Sequence, residues 1–254
     1  DFAGAVLITS GNDVTLVDAN ALVLGTSSVS GNLNVTAAGA VTDSGSLAIT
    51  GTSTLAAGAG NNITLDTGAN DFMSAVVITS GNDVTLVDAD ALVLGASSVA
   101  GDLTVTATLG DITDVGTLGV TGDASFTANA SGADIVLDDA SNRFGGAVAF
   151  ASAGGLADLT LVDTTGVELP SVTLTGNLNV TASGAITDSG ALLITGTSTL
   201  AAGVGNNITL NTVANDFAGA VLITSGNDVT LVDANALVLG TSSVSGNLNV
   251  TAAG

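Results

Sequence analysis

Carboxylates are the only abundant side chains in this sequence that could do chemistry. The 254 residues include 23 acidic residues and one arginine, Arg143, with no histidine and no cysteine. Because carboxylate oxygens are preferred ligands of Ca²⁺, Asp13, Asp18 and Asp43 are candidate calcium ligands. The segment SGNDVTLVD lacks the glycine-rich nonapeptide of calcium-binding toxin repeats, and turn aspartates commonly cap their own backbone. We therefore predict no cofactor, with calcium at these three aspartates as the alternative.

Paired carboxylates are also the catalytic groups of glycosidases, where one acts as acid and the other as base or nucleophile. Asp138 and Asp139 are adjacent, so in a strand their side chains would point to opposite sides. Arg143 occupies a position at which other copies of the repeat have aspartate. The sequence therefore predicts no catalytic residues, and we expect the chain not to be an enzyme.

The charge of the chain excludes two classes of partner. A net charge of −22 with a single cationic side chain cannot neutralise the phosphates of a nucleic acid or bind an anionic membrane surface. Polar residues interrupt every apolar run well before the 18 or so residues that a membrane span needs. We therefore expect no nucleic acid partner and no membrane insertion.

The elements that must position these residues belong to a long repeat. Asp1–Gly39 recurs without a substitution as Asp216–Gly254, and a short motif ending in Phe recurs at intervals of 70, 72 and 73 residues. The identical ends indicate a longer period of 215 residues within an extended array. We predict one continuous segment made of repeats 1–70, 71–142 and 143–215 and a partial repeat 216–254.

Each repeat divides into shorter lines. Gly-Asn pairs recur at steps of 20, 29 and 21 residues, and each is followed by a run such as DVTLV or LNVTA. Alternation of apolar and polar residues predicts strands with one buried face. Repeating sequence segments of this length are typical of a parallel β-solenoid. We predict about eleven coils of three short strands, a rod of about 50 Å, with a flatter two-sided coil as the alternative.

The Gly-Asn pairs are predicted to form the corners of the coils. Glycine adopts backbone angles that other residues avoid, and stacked asparagines can form a ladder of side-chain hydrogen bonds. The other interpretation is that each asparagine is an isolated turn residue. The predicted corner and ladder residues are Gly11, Asn12, Gly31, Asn32, Gly60, Asn61, Gly81, Asn82, Gly176, Asn177, Gly205, Asn206, Gly226, Asn227, Gly246 and Asn247.

Runs such as AVLIT and AVVIT place apolar residues on both sides of a strand. Since exposed apolar stripes often mark association surfaces, we predict lateral contact between rods through Val6, Val76 and Val221. Equivalent acids such as Asp18 and Asp88 are expected three coils, or about 14 Å, apart, which weakens their repulsion.

The segment GNLNVTAAGAVTDSGSLAITGTSTLAAGAGNNITLDTGANDF resembles the repeat regions of large filamentous-haemagglutinin-like exoproteins of Gram-negative bacteria. The resemblance covers essentially the whole chain. It implies a right-handed parallel β-helix, export to the bacterial cell surface, and a structural role as an adhesin stalk or extracellular filament. From the tandem array and the apolar runs, we expect the partners to be further repeats above and below and, through lateral self-association, neighbouring rods. The alternative is an adhesin module that binds glycans or protein along one face.

Overall fold

A computed structural model describes all residues from Asp1 to Gly254 as a rod of parallel β-strands without a helix. Each strand pairs with a strand about one coil further along the chain. The offset between paired residues ranges from 18 for Val76 and Leu94 to 24 for Ser125 and Ala149. The predicted parallel β-solenoid is therefore confirmed, with coils slightly shorter than the spacing of the Gly-Asn pairs.

Two broad faces run along the rod, and twelve strands form each one, in agreement with the predicted eleven or so coils. Face A consists of strands Val14–Asp18, Leu33–Ala37, Ser53–Ala56, Val76–Ser80, Leu92–Leu94, Ile112–Asp114, Ala133–Leu137, Leu156–Asp163, Leu178–Ala182, Ser198–Ala201, Ala220–Ser225 and Val238–Leu239. Face B, a seven-stranded and then a five-stranded sheet, consists of Leu22–Leu24, Val41–Asp43, Ile63–Leu65, Val84–Asp88, Leu103–Ala107, Ala124–Ala128, Val148–Ala151, Val167–Leu169, Ile186–Asp188, Ile208–Leu210, Val229–Asp233 and Leu248–Ala252.

A third, shorter strand completes most coils, and its position changes along the rod. In the first and last groups the side strand follows a face B strand, whereas in the middle group it follows a face A strand. The side strands are Ser27–Val29, Leu47–Ile49 and Asp71–Phe72, then Ser97–Val99, Leu118–Val120 and Arg143–Phe144, then Val172–Leu174, Leu192–Ile194 and Asp216–Phe217. The coil thus has two constant faces and a third that switches sides.

This switch arises because one repeat occupies three and a half coils. The strand Val14–Asp18 lies on face A, and its copy Val84–Asp88 lies on face B, paired with Ile63–Leu65 and Leu103–Ala107. Equivalent residues return to the same face only after two repeats, or seven coils, a distance of about 34 Å. The expected separation of three coils between copies such as Asp18 and Asp88 is therefore wrong, because copies of adjacent repeats lie on opposite faces.

The core lies between the two faces and follows from the alternation of each strand. In Leu33–Ala37, the first, third and fifth side chains are buried, and the two between them are exposed. The core contains an aromatic cluster around Phe126, whose ring centroid lies 5.9 Å from that of Phe144 and 6.2 Å from that of Phe150. The small residues Ala124 and Ala128 flank Phe126 in its strand, and they leave room for the aromatic rings.

Burial of the core depends on the neighbouring coil rather than on the strand itself. Leu33 and Leu248 occupy identical positions in identical sequence, yet Leu33 is fully buried and Leu248 is 44% exposed. Leu33 is covered by coils on both sides, whereas the strand of Leu248 pairs only with Val229–Asp233. Each coil therefore supplies part of the core of the next, as expected for a solenoid.

Two core hydroxyls generate a prediction about stability. Ser53 and Ser198 are fully buried with no hydrogen-bond partner for Oγ, and the intervening repeat has Ala124 at this position. Because an unpaired buried hydroxyl is unfavourable, we expect Ser53→Ala to increase the free energy of unfolding by about 1 kcal/mol, measured by thermal and urea unfolding.

Ser97 provides the control for this change. Its hydroxyl donates to the carbonyl of Gly95 at 2.8 Å and accepts the N–H of Ile78 at 3.1 Å. Ser97→Ala is therefore expected to lower stability. Destabilisation by Ser53→Ala comparable to that of Ser97→Ala would contradict the assignment of an unpaired hydroxyl.

Candidate functional site

One polar arrangement is a group of Asp43, Asn70 and Asp88, stacked in three successive coils, in which Asn70 and Asp88 are fully buried and Asp43 is half-buried. We call this group and its copies the Asx clasps. The Asn70 side chain donates to the carboxylate of Asp43 at 2.6 Å and accepts the N–H of Leu47 at 2.9 Å. The carbonyl of Asn70 accepts the N–H of Ala89, the residue after Asp88, at 2.7 Å. One fully buried asparagine thus joins its own coil to those before and after it.

The two aspartates of the first clasp fix the turns that follow the strands. Asp43 accepts the N–H groups of Asp66 and Thr67, each at 3.2 Å. Asp88 accepts the N–H of Phe72 at 3.0 Å and the N–H of Asp90 at 2.8 Å. Since every contact partner is a backbone donor or an amide, the clasps stabilise chain geometry at the corner.

The clasp recurs once in each repeat. In the second copy, Asn142 donates to Asp114 at 2.5 Å and accepts from Leu118 at 2.7 Å. In the third copy, Asn215 donates to Asp188 at 2.6 Å and accepts from Leu192 at 2.9 Å. Asp163 and Asp233 take the place of Asp88, although Asp163 accepts from both the N–H and the hydroxyl of Thr165. These asparagines are not among the site residues predicted from the sequence, although they stand two residues before the phenylalanine that marks each repeat.

Burial governs the electrostatics of the clasps. Loss of water around the carboxylates raises the pKa of Asp88, Asp114 and Asp163 above the ordinary value of 3.8, and the N–H groups that they accept partly oppose this rise. At the first coil the pKa of Asp18 is instead lowered, chiefly by the N–H of Phe2 and then by that of Asn20. Three of the clasp carboxyl groups, Asp88, Asp114 and Asp163, thus have their charged form disfavoured in the folded chain.

A second polar arrangement links the corners just before the strands. Here a side-chain oxygen accepts the backbone N–H of the equivalent residue one coil further on. Asp83 accepts from Asp102 at 3.2 Å, Asp102 from Asp123 at 2.8 Å, and Asp123 from Ala147 at 2.8 Å. We call such columns the Asx ladders. They place carboxylates in adjacent coils, which differs from the wide spacing expected for the acids.

The predicted corner asparagines take two positions relative to these ladders. Asn32 and Asn177 are members, because their Oδ1 atoms accept the N–H groups of Thr52 and Thr197 at 2.9 Å. Asn82 lies one residue before the ladder and donates to Asn62 at 3.0 Å. Asn227 likewise donates to Asn207. Asn61 donates to the carbonyl of Ala57, and Asn206 donates to the carbonyl of Ala202. Asn247 donates to Asp228, and Asn12 forms a 3.4 Å contact with Asp13.

The predicted corner glycines have a role other than an unusual backbone angle. Positive φ occurs only at Gly58, Gly132, Gly155 and Gly203. A Cβ on Gly51 would lie 2.5 Å from the backbone of Gly31 in the preceding coil, so small size permits the close stacking there. An added Cβ would crowd a ladder aspartate at three of the predicted glycines, Gly31, Gly176 and Gly246. It would crowd the valine three residues later at Gly11, Gly81 and Gly226, and it would meet open space at Gly60 and Gly205.

The candidate calcium ligands lie apart. Asp13 accepts the N–H of Asn32 at 2.8 Å, Asp18 accepts those of Phe2 and Asn20, and Asp43 belongs to a clasp. The structure contains no group of three or more acidic side chains arranged to hold a metal ion. It also contains no helix that is long and apolar enough to cross a membrane.

The prediction of lateral contact through Val76 and Val221 is wrong, because both side chains are fully buried, and Val6 is half-buried against the core. The register explains the difference, since Val76 pairs with Ser53 in the core row of face A. The apolar side chains that point outward are the next residues, Val77 and Leu222, which are half-buried, and Leu7, which is 62% exposed.

A column of hydroxyl groups lies on the outer surface of face B. The register stacks Thr42, Thr64, Thr85 and Thr104 in four successive coils. At the strand spacing of about 4.8 Å, they form a regular uncharged column. This column differs from the corners, where the acidic residues of the ladders lie.

The clasp predicts a strong effect of a single amide. Asn142→Ala would leave the N–H of Leu118 without its partner inside the rod, and it would remove the shortest of the three donors to the carboxylate of Asp114. We expect a loss of about 1–3 kcal/mol for the unpaired N–H, measured by urea unfolding. Asn34→Ala removes the same side chain from an exposed position without a hydrogen bond, and its effect should stay within about 0.5 kcal/mol. Equal effects of the two variants would contradict a stabilising role for the clasp.

The raised pKa values predict the direction of the pH dependence. A carboxyl group with a higher pKa in the folded chain stabilises the fold fully below the unfolded value of 3.8, and it loses that contribution as the pH rises through the folded pKa. We therefore expect the Tm, followed by circular dichroism, to rise as the pH is lowered from 7 towards 5, still above the isoelectric point of 4.1. The pKa of Asp18 is lowered instead, but this single group lies at one end of the rod.

Relief of surface repulsion also stabilises an acidic protein at lower pH, so the titration is repeated in high salt. Salt screens exposed charges far more than buried ones, and the rise in Tm should persist. A Tm that decreases steadily from pH 7 to 5 in high salt would contradict the assignment.

Comparisons with known proteins agree with this architecture. Residues 11–79, 81–151, 156–224 and 226–254 match the family DUF5649, described as repeats of unknown function. No curated protein and no solved structure matches the chain. Since these four segments account for nearly all of the rod, the chain belongs to the DUF5649 family of repeats.

Proposed function

We propose that this chain is a non-catalytic structural segment of a bacterial surface filament or adhesin stalk, a rod that holds other parts of a protein at a distance. The observation that carries the proposal is that its polar side chains form hydrogen bonds with other coils of the same chain. The amides and carboxylates of the clasps and ladders bond the backbone of neighbouring coils, as for Asn70 with Leu47 and Asp102 with Asp123. These hydrogen bonds hold successive coils together in one continuous stack.

The resemblance to filamentous-haemagglutinin-like exoproteins supports an extracellular location, and tandem copies suit an array that extends by adding repeats. Further repeats above and below are the proposed partners, with lateral association through outward side chains such as Val77 and Leu222. The charge of −22 supports solubility of an exposed rod and opposes binding to nucleic acid.

If the chain is a spacer, the length of the rod should increase with the number of repeats. Deletion of residues 71–142 joins Asn70 to Arg143, so that each clasp residue again has an equivalent partner. We expect a folded rod shortened by three and a half coils, or about 17 Å, measured by small-angle X-ray scattering. A compact particle, or loss of the β-sheet circular dichroism signal, would contradict a stack of interchangeable repeats.

The surface location is tested separately on cells of the source organism. Antibodies against the rod should label intact cells. Labelling that appears only after lysis would contradict the filament proposal while leaving the architecture untouched.

A second candidate is an adhesin module that binds glycans along face B. The stacked hydroxyls of Thr42, Thr64, Thr85 and Thr104 favour it, because regularly spaced hydroxyls can bond a neutral sugar chain. A glycan array separates the two candidates. Binding that is lost in Thr85→Val with unchanged Tm supports the adhesin, and an array without binding supports the spacer.

A further inference from the structure

Six asparagines lie in the acceptor motif for N-linked sugars, Asn-x-Ser/Thr without proline at the middle position. Neither the clasps nor the rod architecture requires this motif. Three occurrences belong to the phrase LNVT, two to NNIT, and one to NAS. The six asparagines are Asn34, Asn179 and Asn249, then Asn62 and Asn207, and finally Asn129.

The side chains of Asn62, Asn207 and Asn129 are used by the fold. Asn62 accepts the N–H of Asp83 at 3.2 Å and donates to the carboxylate of Asp83 at 3.2 Å. Asn207 accepts the N–H of Asp228 at 3.2 Å, and Asn129 accepts the N–H of Ala153 at 3.1 Å. Asn62 and Asn207 are exposed and Asn129 is half-buried, but a sugar on any of these amides would lie directly beside the backbone of the adjacent coil that the amide contacts.

The three LNVT asparagines are arranged differently. Asn34 points outward from Leu33–Ala37, is exposed and forms no side-chain hydrogen bond, and Thr36 lies on the same exposed side. Its neighbours in the adjacent coils are the small residues Thr15 and Thr54. Asn249 is also exposed, and Asn179 has only a 3.5 Å contact with the Thr160 hydroxyl. Asn179 is half-buried, and a sugar on the three amides would affect at most this one long contact of the fold.

We propose that Asn34, Asn179 and Asn249 are acceptor sites for N-linked sugars, which the folded rod carries on its broad faces. The amide Nδ2 forms a bond to the anomeric carbon of a sugar activated as a diphosphate ester. The bond from that carbon to the phosphate oxygen breaks, the diphosphate leaves with the electron pair, and the amide loses one of its two protons. Because neighbouring strands pair with Leu33–Ala37 on both sides, transfer precedes folding.

The direct test is peptide mapping by mass spectrometry of the protein isolated from its natural source. Chains that receive a sugar on an asparagine engaged with the adjacent coil are expected to fold less stably and to be lost. We therefore expect the folded rods to give glycopeptides at Asn34, Asn179 and Asn249 and unmodified peptides at Asn62, Asn129 and Asn207. Six unmodified peptides, or sugar confined to the three asparagines that the fold uses, would overturn the proposal.

A second measurement tests the structural reason for the choice. The chain is produced in a host that glycosylates this motif, with motifs removed by changes such as Thr36→Val and Thr64→Val, which keep each asparagine. A chain glycosylated only at Asn34 should have the Tm of its sugar-free form, and a chain glycosylated only at Asn62 should melt at a lower temperature. Equal decreases at both sites would overturn the distinction between free and engaged asparagines.

Discussion

The hydrogen bond from one coil to the next is the interaction on which this rod depends. A buried backbone N–H or carbonyl must be paired, and the parallel strands pair most of them along the two faces. Strands end at the corners, however, and there the oxygens of aspartate and asparagine replace the missing carbonyls. Asp102 accepting from Asp123 and Asn70 accepting from Leu47 extend the pairing around the turn. Continuity of bonding around each coil allows repeats to stack into one body.

The same bonding explains how so acidic a chain stays folded. The ladders stack Asp83, Asp102 and Asp123 in successive coils, where like charges repel. Each carboxylate is also an acceptor for an N–H of the next coil, and charge-assisted bonds of this kind are stronger than neutral ones. In the clasps, burial replaces repulsion as the main cost, and raised pKa values result. The acids therefore have structural roles at the corners, whereas the broad faces carry mainly threonine, asparagine and valine.

Several features of the fold could be predicted because they follow from local patterns. Alternating runs such as that of Leu33–Ala37 indicate strands with one buried face, and the repeat indicates stacked coils. The choice of outward residue in AVVIT could not be predicted, because both valines are apolar and only the register with Ser53 buries Val76. The clasps were also beyond local patterns, since Asp43 and Asn70 are 27 residues apart and meet only after the chain has wound through one further coil.

The sequence by itself determined the class of fold, the approximate number of coils and the solubilising charge, since periodicity and composition are properties of short segments. Only the tertiary structure decided that a repeat spans three and a half coils, which places Val14–Asp18 and its copy Val84–Asp88 on opposite faces. The reason is that coil length depends on where each strand finds its hydrogen-bond partner in the previous coil. The roles of chemically identical asparagines, exposed at Asn34 and buried at Asn70, follow from that same winding.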